Sequence, residues 1–233
     1  MLYLQAELSF PYEYKFLKDS GIFLDNTRIC DFGCGSGEYL SKISNAFPNC
    51  KYIGFDYCKE LVEVGRNKYN NLKIQVGSID SINNDIDTII LRLILNQQSN
   101  TMSFLKKLNM KIDSGSSIII IDSCDKFFEI DPKLALVDKK LLELRNVLSP
   151  NIEKRKLDEY IVNDMNSIGC ILNSKLSYYI PINNYNRSTY NQYLIKTLNI
   201  INLNKTEQIQ ISDWLNTNPF IQIGISMYIF TKV

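Results

Sequence analysis

The chain has 233 residues, of which 26 are Lys or Arg and 25 are Asp or Glu, so its formal net charge is +1. Near-neutrality argues against a protein whose main partner is nucleic acid, because phosphate contacts need a basic face. Histidine is absent, which removes the commonest general base and the commonest metal ligand.

The six cysteines and the apolar content set further limits. No C-x-x-C pair occurs, so no zinc site is predicted, and free thiols in a reducing cytoplasm are expected. No apolar run reaches about 18 residues, and the first residues lack a signal-peptide pattern, so no membrane partner is expected. A single domain over residues 1–233 fits this length.

Apolar strands alternate with amphipathic helices over the first half of the chain. The predicted helices are 11–21, within an N-terminal cap of residues 1–26, then 37–47, 59–69 and 103–112. The predicted strands are 27–32, 51–56, 72–76, 87–95 and 116–122. This alternation predicts βαβ units, and right-handed crossovers then give a doubly wound, mostly parallel α/β sheet.

The pattern changes after residue 122. Residues 123–169 are predicted to form a helical insertion between the fifth and sixth strands, with two helices separated at Ser149-Pro150. The stretches 170–180 and 220–233 are predicted strands that pair antiparallel at one edge of a seven-stranded sheet, with a helical segment between them. An apolar stripe in the insertion suits core packing, a homodimer contact or a lid; its members are Leu134, Val137, Leu141, Leu144 and Leu148.

The stretch RICDFGCGSGEYL, residues 28–40, joins a strand to a helix through a glycine-rich turn. Such a turn, at the carboxyl end of the first strand, is a ligand site in open α/β sheets. A dinucleotide fingerprint G-x-G-x-x-G counted from Gly33 would need glycine at position 38. Glu38 stands there, and its carboxylate would face a pyrophosphate unfavourably.

The pattern D-x-G-x-G-x-G from Asp31 to Gly37 resembles motif I of the class I S-adenosylmethionine-dependent methyltransferases. The resemblance extends over residues 28–122: Asp56 ends the second strand where the family has its ribose-binding acid, and 87–95 resembles the family's fourth strand. NMKIDSGSSIIIID resembles the entry to its fifth strand. The resemblance implies S-adenosylmethionine as cofactor and transfer of its methyl group.

Residue roles follow from the same resemblance. Asp31 corresponds to the acid that holds the methionine ammonium, and Asp56 to the acid that binds the ribose hydroxyls. Where the family often has an aspartate for adenine, this chain has Ser78 and Ile79, with Asp80 as an alternative. The residues assigned to the cofactor are Asp31, Gly33, Cys34, Gly35, Gly37, Asp56, Tyr57, Ser78, Ile79, Leu91 and Arg92.

The sequence says less about the acceptor of the methyl group than about the cofactor. Asn96 and Gln97 follow the fourth strand, where many small-molecule members of this family carry histidine, and Tyr12 and Tyr185 are candidate pocket walls. Arg92 stands where a magnesium-dependent mechanism would want a carboxylate, so no metal is predicted. The expected reaction is methyl transfer to an O or N atom of a small molecule. The alternatives are an RNA or protein methyltransferase, a cyclase-like enzyme that binds the cofactor without methyl transfer, and a non-catalytic assembly partner.

Overall fold

The computed structural model describes residues 1–83, 85–148 and 157–233. The strands are β1 (Arg28–Phe32), β2 (Lys51–Asp56), β3 (Lys73–Val76), β4 (Thr88–Arg92), β5 (Ser117–Ser123), β6 (Glu129–Asp131), β7 (Cys170–Pro181) and β8 (Phe220–Lys232). The helices are α1 (Leu2–Asp19), α2 (Glu38–Ala46), α3 (Lys59–Lys68), α4 (Thr101–Asn109), α5 (Ala135–Leu148), α6 (Leu157–Ser167), α7 (Arg187–Leu198) and α8 (Lys205–Asn216).

The strands form one mixed sheet. β1 to β5 run parallel in the order β3-β2-β1-β4-β5, and β8 continues the sheet antiparallel beside β5. β7 pairs antiparallel with β8, as predicted, and the three-residue β6 pairs with the first residues of β8. The doubly wound fold is therefore confirmed. In the described part of the chain the sheet has eight strands rather than seven, because β6 is too short to show an alternation in sequence.

Helices cover both faces of the sheet, which explains the unbroken apolar runs of its central strands. Ile89, Ile90 and Leu91 in β4 and the four isoleucines 118–121 in β5 are almost completely buried. One core cluster joins the sheet to α1, α5, α7 and α8, and a second joins it to α4 and α6. The result is a three-layer arrangement with the sheet in the middle.

The order of the strands places a crevice at the carboxyl end of β1. The first crossovers lead from β1 to β2 and β3 on one side, and the chain then returns to β4 on the other side of β1. Such a reversal separates the connecting loops and opens a ligand site there. Asp31, Asp56 and Arg92 all lie at this edge, near the ends of β1, β2 and β4.

The first helix is longer than the sequence predicted. α1 begins at Leu2 rather than at residue 11, and Pro11 lies inside it. Proline favours the first turn of a helix, which suggested a start there. The residues before Pro11 nevertheless bury Ala6 and Leu8 in the core, and this packing extends the helix toward the crevice.

The insertion contains the two predicted helices, α5 and α6, and the predicted break at Ser149-Pro150 lies outside the described residues. Val137 and Leu144 from the apolar stripe are buried. Leu134 and Leu141 pack partly buried against the core that includes α7 and α8. The stripe is therefore used for core packing within this chain, as far as its described side chains extend. No helix among the described residues is both long and apolar enough to span a membrane.

Candidate functional site

The glycine loop after β1 adopts a backbone that other residues rarely adopt. Gly33 and Gly37 have φ angles of +78° and +77°, in the left-handed region that side chains disfavour. A Cβ atom at Gly33 would collide with the side chain of Ile94, and one at Gly37 with that of Ile74. Gly37 is also the N-cap of α2. The spacing of these glycines is therefore required by the loop itself.

The first amides of the loop are used within the protein. Gly33 N and Cys34 N donate to Phe55 O at 2.7 and 3.1 Å, and Gly35 N donates to Asp56 Oδ2 at 2.7 Å. These three amides are thus already satisfied, and what the loop offers a ligand is a close backbone surface. The buried Cys34 side chain has its thiol pKa raised by burial, so it is not an activated nucleophile.

Asp56 fixes the end of β2 to the glycine loop. Its side chain is buried, Oδ2 accepts from Gly35 N, and Oδ1 accepts from Cys58 N at 2.9 Å. An ionised carboxylate has about four lone-pair sites. Asp56 therefore braces the loop and keeps the capacity to accept further hydrogen bonds, such as those from a pair of hydroxyl groups.

A cleft of about 560 Å³ opens beside Asp56. We call it the large cleft. Of the residues predicted to bind the cofactor, those that line it are Gly33, Gly35, Asp56, Tyr57, Ser78 and Ile79. Tyr57 is 82% exposed, so it stands at the rim. Sequence reasoning missed the apolar walls Phe32, Leu61 and Phe104, which suit a flat aromatic ring and have no motif of their own.

A second cavity of about 240 Å³, the inner cavity, adjoins the large cleft and shares Gly33, Gly35 and Gln97 with it. Asp31 lies in its wall, 2% exposed. Oδ2 of Asp31 is buried and has no hydrogen-bond partner among the described residues. Burial, with a smaller effect from the charge of Asp56, raises the pKa of Asp31 to about 7, against the opposing effect of Arg92. Among the described residues no cation donates a hydrogen bond to this oxygen, so it can accept one from a positively charged ligand.

Arg92 connects the inner cavity to α1. Its Nη2 donates to Ser9 Oγ at 2.7 Å, and its Nε lies 3.6 Å from Oε1 of the fully buried Glu13. The guanidinium also lies 4.5 Å from the centre of the Tyr39 ring. Burial disfavours the charge of Arg92, but interaction with Glu13 and nearby groups outweighs it and raises the pKa of Arg92. The sequence analysis did not identify Glu13. The feature that could have pointed to it is its spacing of four residues from Ser9, which places both side chains on the same face of α1.

A third cavity of about 80 Å³, the small cavity, shares Gln5, Arg92, Leu93 and Tyr193 with the inner cavity. It lies between α1, α7 and the ends of β5, β7 and β8. Its remaining walls are Leu8, Ser9, Ser123, Ile180, Ile223 and Ile225. The three cavities thus follow one another along the carboxyl edge of the sheet.

Several predicted site residues lie elsewhere. The Tyr12 ring stacks on Tyr178 at 5.8 Å, because that face of α1 turns toward β7. Tyr185 is 98% exposed in the loop before α7. Neither lines the three cavities, so the two acceptor contacts stay predictions that these cavities do not support. Leu91 is buried in the core.

The two predicted amides have different surroundings. Asn96 is buried, and its Nδ2 donates to Asp122 Oδ1 and, at 3.3 Å, to Ser123 Oγ. Gln97 lines both the large cleft and the inner cavity. Asn96 therefore contacts Ser123 in the wall of the small cavity and does not line that cavity itself. Gln97, in contrast, lines the large cleft and the inner cavity directly.

The cavities fit S-adenosylmethionine group by group. The partnerless oxygen of Asp31 suits the cofactor's ammonium, and Asp56 has spare acceptor capacity for the ribose hydroxyls. The apolar walls of the large cleft suit adenine. The inner cavity and the large cleft meet at the glycine loop, so one extended ligand can occupy both.

Comparisons with known proteins point to a methyltransferase domain. A family model described as a methyltransferase domain matches residues 23–165. A malonyl-[acyl-carrier protein] O-methyltransferase from Ilyobacter polytropus is 25% identical over 156 residues, covering 60% of this chain and 58% of that protein. A protein from Papaver bracteatum, named as a probable (S)-tetrahydroprotoberberine N-methyltransferase, is 23% identical over 111 residues. The alignment covers 45% of this chain and 31% of that protein. The chain thus matches less than two thirds of the length of either relative.

Solved structures share the fold. A structure from Bacillus halodurans, provisionally named a methyltransferase, has a TM-score of 0.63 with 13% identity. The alignment covers 95% of this chain and 99% of that chain. A Haemonchus contortus phosphoethanolamine N-methyltransferase, solved with phosphomonomethylethanolamine and S-adenosylhomocysteine, has a TM-score of 0.57 with 11% identity and covers 93% of this chain and 51% of its own. The family match spans more than half of this chain. The chain therefore belongs to the methyltransferase domain family and has the fold of the class I S-adenosylmethionine-dependent methyltransferases.

Proposed function

We propose that the enzyme methylates an O or N atom of a small-molecule acceptor, without help from a metal ion. The observation that carries this proposal is the small cavity, which continues the inner cavity beyond Arg92 and Leu93. Residues of α1 and α7 form part of its wall, so an acceptor enters a partly enclosed space rather than lying across a flat surface. Enclosure favours a small molecule over a folded RNA or protein.

The geometry supports a mechanism based on positioning. When bound, S-adenosylmethionine supplies a methyl group on a positively charged sulfur, which is a good leaving group. Asp31 would hold the ammonium and Asp56 the ribose hydroxyls, so the ligand would be held on both sides of its sulfonium. Alignment of an acceptor with a fixed methyl group removes much of the entropic barrier, and the apolar cover from Leu2 and Leu8 excludes water.

The names of the two curated relatives support the same class of acceptor. One is an O-methyltransferase for a malonyl group on a carrier protein, and the other an N-methyltransferase for a tetrahydroprotoberberine. They differ in the atom methylated and match only part of this chain. They therefore support a small organic group as acceptor and leave its identity to experiment.

The test is release of S-adenosylhomocysteine with a panel of small alcohols, phenols, acids and amines, run beside transfer RNA and unfolded protein. Ile223→Trp fills the small cavity at a half-buried position, so turnover with the small acceptor should fall at least tenfold while cofactor affinity stays unchanged. Ile171→Trp, at a position of β7 that is 58% exposed, is the matched control. Methylation of RNA or protein alone, or Ile223→Trp with full turnover, would refute the proposal.

A further inference from the structure

We propose that Leu93 is a specificity-determining residue, whose side chain sets the width of the opening through which the acceptor reaches the cofactor. This inference rests on the proposed function and adds the residue that selects acceptors by their bulk. It draws on three features of Leu93: its backbone conformation, the surroundings of its side chain, and its position between two cavities.

The backbone of Leu93 adopts a conformation that leucine disfavours. Its φ angle is +57°, in the left-handed region, where the Cβ atom of an L-residue crowds its own backbone. The other described non-glycine residues with a positive φ are Asn26, Asn202 and Asn218, and asparagine tolerates this region better than leucine does. Leu93 is thus the exception among them, and an outlier of this kind is a reason to look for a function.

The turn at Leu93 is fixed by hydrogen bonds on both sides. Leu93 N donates to Ile121 O at 2.8 Å, so the residue still contacts β5, and Leu93 O accepts from Gln97 Nε2 at 2.8 Å. The next side chain, that of Ile94, occupies the space that a Cβ atom at Gly33 would need. These contacts explain the left-handed backbone. Glycine or asparagine would adopt it more easily, so they do not explain a leucine.

The side chain of Leu93 does not serve the core. It is partly buried, and it belongs to none of the three hydrophobic clusters that the described residues form. Leu91 and Leu95, two residues away on either side, are in contrast completely buried. Leu93 instead lines both the inner cavity and the small cavity. Core packing therefore does not account for the leucine, whereas a role at the cavities does.

Four residues lie where the inner cavity meets the small cavity. Gln5, Arg92, Leu93 and Tyr193 line both, and we call this group the passage. Its three polar members are held by hydrogen bonds: Gln5 Nε2 donates to Tyr193 Oη at 3.4 Å, and Arg92 Nη2 donates to Ser9 Oγ at 2.7 Å. Leu93 is the apolar member, so its bulk can narrow the passage without competing for these hydrogen bonds.

The position of the passage gives its width a role in the reaction. With the methionine part of the cofactor beside Asp31 in the inner cavity, an acceptor in the small cavity has to reach the methyl group through the passage. Methyl transfer needs the acceptor atom in line with the carbon–sulfur bond, and a narrow passage restricts the directions of approach. It admits an acceptor atom with little bulk around it and rejects one with branched substituents. Leu93 would then discriminate between acceptors through kcat/KM.

The experiment compares pairs of acceptors that carry the same attacking atom and differ in the bulk around it. The pairs are ethanol and tert-butanol, ethylamine and tert-butylamine, phenol and 2,6-dimethylphenol, and acetate and trimethylacetate. For each pair, kcat/KM is measured by release of S-adenosylhomocysteine at saturating S-adenosylmethionine, and the bulky member is divided by the slim one. Because both members meet the same bound cofactor, this ratio does not depend on cofactor affinity.

Three variants separate the side chain from the backbone. Leu93→Gly removes the side chain and relieves the left-handed backbone, so the ratio of bulky to slim acceptor should rise by about tenfold or more. Leu93→Ala shortens the side chain and keeps the backbone strain, and it should raise the ratio too. Leu93→Asn relieves the backbone but keeps a side chain of similar size, so its ratio should stay close to that of the wild type. A purely structural role would leave the ratio unchanged in all three.

Asn202→Gly is the matched control for the backbone. Asn202 also has a left-handed backbone, with a φ of +56°, and it lies outside the three cavities. The substitution should leave the ratio of bulky to slim acceptor unchanged. A rise in this control as large as that in Leu93→Gly would mean that backbone freedom, and not the passage, controls the ratio, and would overturn the inference.

The contrary outcomes separate this inference from the proposed function. If the wild type methylates small molecules and the ratio is unchanged in Leu93→Gly and Leu93→Ala, the inference alone is overturned. Methyl transfer to RNA or protein alone would overturn both. If no pair is turned over, binding decides, through the rise in melting temperature of the S-adenosylhomocysteine complex with each member. A larger rise with the bulky members in Leu93→Gly supports the inference; wild type and variant that respond alike, or not at all, overturn it.

Discussion

Asp31 gives the most specific prediction, because its carboxyl group is buried and its Oδ2 has no hydrogen-bond partner among the described residues. Its pKa of about 7 means that the folded protein holds a proton there which the unfolded chain releases near pH 4. Asp31→Asn removes this titration while keeping the size of the side chain. We expect the variant to lose cofactor affinity, since its amide cannot neutralise the ammonium. We also expect its free energy of unfolding to fall less than that of the wild type as the pH rises.

The magnitude follows from linkage. Between the unfolded pKa of 3.8 and the folded pKa of about 7, the folded state binds one more proton than the unfolded state. The free energy of unfolding then falls by about 1.4 kcal/mol per pH unit. The contribution of the Asp31 proton to the free energy of unfolding is complete below pH 4 and is lost above pH 7. Between pH 5 and pH 8 the wild type should therefore lose about 3 kcal/mol that the Asn variant keeps.

The assay is urea unfolding of both proteins at pH 5 and pH 8 without cofactor. Any constant cost of placing an amide at position 31 cancels in the comparison of the two pH values. Repeating it with saturating S-adenosylhomocysteine should reduce the pH dependence of the wild type, because the bound ammonium stabilises the carboxylate. Parallel changes in the two proteins without cofactor would refute the reasoning.

Two further substitutions test how the site is built. Asp56→Ala removes the acceptor of Gly35 N and the group assigned to the ribose, so cofactor affinity should fall at least tenfold in calorimetry, with a loss of about 1–3 kcal/mol in stability. Glu13→Gln leaves Arg92 without its buried counter-charge and should lower the free energy of unfolding by about 3–5 kcal/mol. Asp19→Asn, in an exposed ion pair, should change it by less than about 1 kcal/mol.

Each of these predictions has a clear contrary result. Unchanged cofactor affinity in Asp56→Ala would mean that the nucleoside does not bind beside Asp56 in the large cleft. A Glu13→Gln protein as stable as the exposed control would mean that the contact between α1 and β4 does not depend on charge.

The parallel half of the fold was predictable from local pattern. β1 ends one residue after Asp31, β2 ends at Asp56, and β5 begins two residues after Gly115. The predicted positions of these strands agree with the structure to within one or two residues. The glycine loop was also predictable, because its spacing is demanded by left-handed backbone at Gly33 and Gly37.

The acceptor side was not predictable in the same way. Glu13 is buried because α1 packs across β4 and β7, and its partners Arg92 and Tyr178 are far away in the chain. Tyr12 and Tyr185 were selected for their residue type, which does not say which way a side chain faces. The walls of the small cavity likewise combine residues of α1, α7 and β5 that no short motif encodes.

The position of β8 has a consequence for biosynthesis. Its residues pair with β5 along one edge and with β7 along the other, although both of those strands leave the ribosome earlier. Until β8 emerges, two long strand edges lack their partner, and exposed edges promote association between chains. The nascent protein therefore depends on β8 to close the sheet, and we expect chains arrested before residue 220 to aggregate or to recruit chaperones.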